Sequence, residues 1–362
     1  MRIRWVGPYT DPTGYGRFSR FFIKSLQECG HEVYGVDYCF ESEKVSFMPV
    51  DVQLWNGEEV DANIVNLTPN LGVSQIMEGC KNIIFTMFET SKMPDLWVNY
   101  CKEFDAIFVP CEQNKEIFSV TGVPVHVVNP GIDLREEDLN VSSLMIPGVT
   151  PVTYTFYSIF QNTERKNVYA TIRAYLSEFD ISDDVALLLK CYAADFSSAG
   201  TQDMIKQIEE MCLSVLSKNK PAVFLIADIL DDDHIMSIHR LGDCFVLPSR
   251  GEGWGLPTFE ACQFGNDIIA TDYGGHSEFI KNPNSKLPIG RMEPIFNMPW
   301  LEHYDCKMQW ADPSVLELMR MMRAARSGVD CKNNVSMFTA ERSVEMLVEA
   351  VNSLVPIPHS EG

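Results

Sequence analysis

The sequence predicts an α/β protein made of two doubly wound parallel-sheet domains in tandem. Short apolar runs alternate with segments of helical period along most of the chain, the rhythm of parallel strands joined by crossover helices. That rhythm occurs as two series, interrupted once by the Ser-, Pro- and Gly-containing stretch Asn140–Pro151. At 362 residues the chain is also longer than one hydrophobic core comfortably serves.

The first series opens with Arg2–Val6 as a buried strand, followed by the loop GPYTDPTGYG. Arg17–Cys29 then carries Phe18, Phe21, Phe22 and Leu26 at helical spacing, and Gly30 stands where a helix stops. Val33–Val36 is the next strand, completing a β-loop-α-β unit. Ile64–Leu67, Ile83–Met87, Ala106–Val109 and Val125–Val128 continue the same sheet. The second series places strands at Thr153–Tyr157, Ala186–Leu189, Ala222–Ile226, Cys244–Leu247 and Ile268–Ala270, with helices after Asn167, Thr201, His234 and Thr258. Ser314–Ala325 and Ala340–Leu354 close the chain as helices; on the first, Val315, Leu318, Met319 and Met322 share a face and read as core. The expected domains are 1–145, 146–335, and a C-terminal helix and tail, 336–362, returning to the first domain.

Composition limits the function classes. The formal net charge of -21 argues against a general polyanion binder, because phosphate neutralisation needs clustered cations. Eleven cysteines without a Cys-x-x-Cys spacing or an accompanying histidine cluster indicate neither a zinc site nor a disulfide framework. No run approaches the roughly 18 apolar residues of a spanning helix, and the N-terminus lacks the apolar stretch of a signal peptide. The expectation is a cytoplasmic protein with at most peripheral membrane contact.

The stretch with most chemistry is Asp243–Ala261, DCFVLPSRGEGWGLPTFEA, a strand, a glycine-punctuated loop and a helix start. Glu252 and Glu260 bracket the turn with seven residues between them. Glycines let backbone approach a ligand, and a helix start presents free N–H groups to an anion. For Glu260 alone, capping the helix that begins near Thr258 is the plainer role; for both glutamates in this loop, ligand binding is favoured. Upstream, the adjacent cations Arg165 and Lys166 suit a diphosphate.

This segment, with ATDYGGHSEFI at Ala270–Ile280 and ERKN at Glu164–Asn167, resembles the retaining glycosyltransferases of family 4. TGYGR at Thr13–Arg17, NPGID at Asn129–Asp133, FETSKMP followed by Trp97, and WADP at Trp310–Pro313 look like the same family. The resemblance covers residues 1 to about 330 in order. It implies the GT-B fold, two facing Rossmann-like domains, and transfer of a sugar from a nucleotide diphosphate sugar, of UDP or GDP type, to a hydroxyl acceptor with retention. By that resemblance Glu260 accepts hydrogen bonds from ribose hydroxyls and Glu252 faces the donor sugar. Arg165 and Lys166 stabilise the leaving diphosphate, and Gly253, Trp254, Gly255 and Leu256 complete the donor loop. Gly14, Gly16 and Arg17 form a loop meeting the donor phosphates from the N-terminal domain, and Glu89, at the carboxyl end of a strand, is a candidate acceptor-side group. No metal or resident cofactor is expected, nor is tight nucleic-acid binding.

Other readings compete. Gly14-x-Gly16 with Asp37 mimics a dinucleotide fingerprint, but Ser19 stands where the third glycine belongs and the two glutamates stay unexplained. A nucleotide-sugar epimerase, a phosphorylase of the same fold, or a non-catalytic nucleotide-sugar binding protein remain alternatives. Asp231–Asp233 reads as a helix N-terminus rather than a metal clamp, and Trp254 as packing within its turn.

Overall fold

The computed structural model describes residues 1–38, 51–132, 134, 141–142, 144–150, 152–299 and 303–354. Asp133 of the NPGID run, and Asn140, Ser143 and Pro151 of the interrupting stretch, lie outside the described residues. The chain divides into two compact units, Met1–Asp133 with Met337–Gly362, and Leu134–Ser336.

In the first unit, β1 (Arg2–Gly7), α1 (Gly14–Glu28), β2 (Glu32–Asp37), β3 (Gln53–Leu54), β4 (Ala62–Val65), α2 (Pro69–Gly72), β5 (Lys81–Phe85), α3 (Trp97–Cys101), β6 (Ala106–Val109), α4 (Glu112–Ser119) and β7 (Val125–Val127) follow one another. The strands form one parallel sheet in the order β3-β2-β1-β4-β5-β6-β7. Ile3 pairs with Val33 on one side and Ala62 on the other, so β1 is covered on both edges. Strands buried in this way read as continuous apolar runs, which is why IRWV and AIFV were legible, while β4 runs two residues ahead of the expected Ile64–Leu67. Trp5, Phe18, Phe22 and Phe85 form the aromatic centre of the core, with Trp5 and Phe22 stacked at 5.5 Å.

In the second unit, β8 (Tyr154–Asn162), a 3₁₀ turn at Glu164–Lys166, α5 (Val168–Glu178), β9 (Val185–Ala193), α6 (Ser198–Ser214), β10 (Ala222–Ile226), α7 (Asp232–Leu241), β11 (Cys244–Leu247), α8 (Leu256–Gln263), β12 (Asp267–Thr271), a 3₁₀ turn at Gly275–Glu278 and β13 (Lys286–Leu287) build a parallel sheet in the order β10-β9-β8-β11-β12-β13. β8 and β9 are nine residues each, longer than their apolar centres, because the strands continue through polar residues, Gln161 and Asn162 in β8 and Lys190 in β9. An antiparallel ribbon of β14 (Ile289–Pro294) and β15 (Gln309–Pro313) follows, and then α9 (Val315–Arg326). The ribbon has no counterpart in the apolar pattern, since IGRMEP is mostly exposed. Leu318 and Met322 of α9 join Ile172, Tyr175 and Leu176 of α5 in the core, confirming the apolar face read on that helix.

The last helix, α10 (Ala340–Ser353), belongs to the first unit. Lys81 Nζ donates to Val351 O at 2.7 Å, and Ser343 Oγ donates to Asn129 O at 2.6 Å while accepting from Gly131 N at 2.7 Å.

Candidate active site

The site grows from the point in the second sheet where the strand order reverses, between β8 and β11. In open α/β sheets ligands bind outside the carboxyl ends of strands at such a point. β8 ends at Asn162 and passes through one 3₁₀ turn into Asn167, whose φ of 54° is left-handed, a conformation asparagine tolerates better than most residues. Asn167 Nδ2 donates to Pro248 O at 3.1 Å, and Arg250 N donates to Arg165 O at 2.7 Å. Those two bonds lock the turn after β8 to the loop after β11.

Arg165 and Lys166 thereby meet Glu252. Lys166 Nζ lies 2.6 and 2.8 Å from the two Glu252 carboxylate oxygens. Arg165 Nη1 donates to Gly251 O at 2.7 Å and lies 3.6 Å from Glu252 Oε1. Glu252 is only 5% exposed. Burial pushes its carboxyl up, but Lys166 and then Arg165 outweigh burial and hold it at about 2, so it is ionised. Two cations thus converge on one buried carboxylate. The loop is held from the other side by Gly275 N, which donates to Glu252 O at 2.7 Å. A Cβ at position 275 would stand 2.0 Å from Gly253 O, so only glycine permits that approach. Beside it His276 is fully buried, its pKa lowered chiefly by burial, and its Nε2 donates to Thr271 O.

Glu260 sits differently. α8 starts at Leu256 with Gly255 as its left-handed N-cap, two residues before Thr258, which puts Glu260 inside the helix rather than at its cap. Its side chain is 1% exposed, with Oε2 3.3 Å from His239 Nε2. Trp254, 2% exposed, packs against Phe279 and Phe259 at 5.1 and 6.0 Å between ring centres, and Leu256 is buried. Gly253 and Gly255 complete the turn.

The expected N-terminal loop is not a loop. Gly14, Gly16 and Arg17 lie in the first turn of α1, because Thr13 caps it: Thr13 Oγ1 accepts from Gly16 N at 3.3 Å and Thr13 O accepts from Arg17 N at 2.9 Å. A Cβ at Gly16 would stand 1.9 Å from Asp11 O, so this glycine serves the packing of the preceding turn. Asp37 is engaged by Thr10, whose backbone N–H lies 3.3 Å from its Oδ1. Glu89 lies half-buried in the loop beyond β5, which ends at Phe85 rather than Met87. The structure therefore brings together Arg165, Lys166, Glu252, Gly253, Trp254, Gly255 and Leu256 around one loop, with Glu260 behind it, while Gly14, Gly16, Arg17 and Glu89 belong to the other unit.

Two residues of consequence escaped the sequence reading. Arg250, 7% exposed, pairs with Glu164 Oε1 at 3.0 Å, Asp312 Oδ1 at 3.3 Å and Glu293 Oε1 at 3.5 Å, and lies 5.4 Å from the Phe296 and Trp310 ring centres. With Ala311 N donating to Arg250 O at 3.0 Å, it fastens the WADP strand to the glutamate loop. His239 is the other; its one sequence signal is its place three residues after Met236, on the buried face of α7. Among the described residues no group of His, Cys, Asp and Glu is arranged to hold a metal ion, and no helix is long and apolar enough to cross a membrane.

Comparison with solved structures places this architecture. Over 98% of the chain it superposes on 94% of sucrose-phosphate synthase from Thermosynechococcus elongatus, with a TM-score of 0.61 at 12% identity. A UDP-forming α,α-trehalose-phosphate synthase from Burkholderia xenovorans matches 98% of the chain over its whole length, with a TM-score of 0.63 at 9% identity. The fold is GT-B. Residues 199–289, which include the glutamate loop, match the family model for Glycosyl transferases group 1. An uncharacterized glycosyltransferase of Methanocaldococcus jannaschii is 25% identical over 177 residues, spanning 46% of this chain and 42% of that relative. The chain thus matches less than half the length of that relative. Within the GT-B frame, the Lys166–Glu252 site belongs to the second Rossmann-like unit.

Proposed function

We propose that this protein is a retaining, metal-independent glycosyltransferase that takes a sugar from a nucleotide diphosphate sugar and delivers it to a hydroxyl acceptor. One observation carries the reading: Lys166 and Arg165 converge, at the switch point of a Rossmann-like sheet, on the buried, ionised Glu252, which lies inside the segment that matches the glycosyltransferase model. Adjacent cations suit a diphosphate, whose leaving oxygen gains negative charge as the glycosidic bond breaks; fixed cations there lower the barrier. Glu252 holds Lys166 in place beforehand, so little reorganisation is needed at the moment of reaction. The two cations supply the charge that a divalent metal supplies elsewhere, which is the ground for proposing metal independence. Ribose hydroxyls are assigned to Glu260 and the donor sugar to the Glu252–Leu256 turn.

The test is a thermal-shift panel of UDP- and GDP-sugars with a chelator present, followed by acceptor screening with the donor that binds. The expected outcome is a raised melting temperature for one donor class, acceptor-dependent nucleotide release, and retained anomeric configuration by NMR. Lys166→Ala is expected to lower turnover more than donor binding. Failure of every nucleotide sugar to bind, or loss of binding on chelation, overturns the proposal.

A further inference from the structure

The carboxylate assigned to the ribose is not held by its own helix alone. Behind Glu260 runs a chain of polar groups, the buried His239 of α7 and Tyr157 of β8 and the half-buried Asn266. Asn266, between α8 and β12, donates from Nδ2 to the Tyr157 hydroxyl of β8 at 2.7 Å and to His239 O at 2.8 Å. The Tyr157 oxygen lies 2.8 Å from His239 Nδ1, and His239 Nε2 lies 3.3 Å from Glu260 Oε2. Tyr157 and His239 are fully buried and Glu260 is 1% exposed.

The direction of these bonds follows from which groups can only donate. The Asn266 amide N–H fills an acceptor site on the Tyr157 oxygen, leaving the Tyr157 O–H to donate to His239 Nδ1. Burial raises the Tyr157 pKa, so the hydroxyl keeps that proton. With Nδ1 accepting, the imidazole proton resides on Nε2 and points at the Glu260 carboxylate. The ring is further clamped by stacking on Phe264 at 5.5 Å and by the edge of Tyr157 at 5.5 Å.

We propose that His239 is a positioning residue for donor binding: with its tautomer set by Tyr157 and Asn266, it donates to one oxygen of Glu260 and so fixes the rotamer in which that carboxylate receives the ribose hydroxyls of a nucleoside diphosphate. This rests on the donor-site reading of Glu260. The arrangement also explains why α7 and α8 are joined through side chains, since a carboxylate buried this deeply requires a hydrogen-bonding partner.

The experiment titrates the protein with UDP and GDP by calorimetry, then repeats the tighter one as its 2′-deoxy form. The unmodified protein is expected to favour the ribonucleotide about tenfold, the worth of one hydrogen bond to a charged group. His239→Phe keeps the ring and its stacking but removes the Nε2 proton. It is expected to bring that preference close to one, as Glu260→Gln does, with the double variant no worse than either. Tyr157→Phe, which conserves volume, is expected to lower the preference part-way, keeping the test available if His239→Phe does not fold. A preserved ribonucleotide preference in a folded His239→Phe or Tyr157→Phe protein, alongside its loss in Glu260→Gln, overturns the relay and leaves the donor site standing. Unchanged ribonucleotide preference in Glu260→Gln overturns the ribose assignment and the relay with it. Absence of binding by either nucleotide to the unmodified protein overturns the donor reading altogether.

Discussion

The turns after β1 and after β8 stand at equivalent places. Each follows the first strand of its sheet, and both sheets run 3-2-1-4-5-6 from that strand's own start, with a seventh strand added in the first, so each turn lies beside the point where the order reverses. They are built in opposite ways. After β1 the turn is knitted to itself: Asp11, 2% exposed, accepts from Thr13 N at 2.6 Å, and its carbonyl accepts from Arg20 Nη1 at 2.7 Å. After β8 the turn instead delivers two cations to a buried carboxylate from the next loop. Topology supplies the same platform twice, and side chains decide that one end closes on its own backbone while the other gathers charge.

The largest break in this comparison comes from removing Lys166. Lys166→Ala leaves Glu252 buried with Arg165 at 3.6 Å as its remaining nearby cation in the pair geometry described. Breaking a buried pair from one side costs about 3–5 kcal/mol. A loss of that order in the stability of the second unit, read by denaturant unfolding, is expected. The double variant Lys166→Met, Glu252→Leu is expected to regain most of it while failing to bind a nucleoside diphosphate. A single variant as stable as the parent would show that the pair is not buried as described.

The sequence disclosed this half of the contrast better than the other. Alternating apolar runs disclosed both sheets because parallel strands are buried on two faces. The glutamate loop and the Arg165–Lys166 step were visible because glycine, carboxylate and cation types carry local chemistry. The role of Gly16 was not, because its cause is the Asp11 carbonyl five residues earlier, which stands where a Cβ would have to go. The His239–Tyr157–Asn266 chain was hidden for a stronger reason. Its members come from α7, β8 and the loop after α8, and only the folded sheet brings them within hydrogen-bond distance. Arg250 likewise looks like one more loop cation until β14 and β15 place Glu293 and Asp312 around it.

Acid sharpens the comparison. The Glu252 carboxyl is pushed up by burial yet held at about 2 by Lys166 and Arg165, against an ordinary value of 4.5. A folded pKa below the unfolded one gives stability that is present above about 4.5 and is lost as pH falls towards 2. The amount is of order 3 kcal/mol, from about 1.4 kcal/mol for each pH unit. Asp183, beneath the Arg323 guanidinium, and Asp231, at the α7 N-cap, are also lowered, and all three lie in the second unit. Hydrogen exchange by peptide between pH 5 and pH 2.5 is expected to show protection falling first around β8, β11 and α8. Simultaneous loss in β1, β4 and β5 would contradict a local electrostatic origin.

The smallest and most selective test sets two glycines against each other. A methyl at Gly16 would meet Asp11 O at 1.9 Å, and one at Gly275 would meet Gly253 O at 2.0 Å. Both collisions are with backbone, which yields less readily than a side-chain tip, so each alanine forces a local shift worth about 1–3 kcal/mol. The consequences should separate by function. Gly16→Ala disturbs the turn between β1 and α1, so it is expected to lower melting temperature while nucleoside diphosphate affinity at 20 °C, about room temperature, stays within about twofold. Gly275→Ala displaces the strap that donates to Glu252 O, moving the carboxylate off Lys166. It is expected to weaken the same ligand at least about tenfold for a similar thermal loss, since small misplacements of preorganised groups are costly. Equal effects of both alanines on affinity would mean that the β1 turn also serves the nucleotide, and that the two equivalent corners differ less in role than in construction.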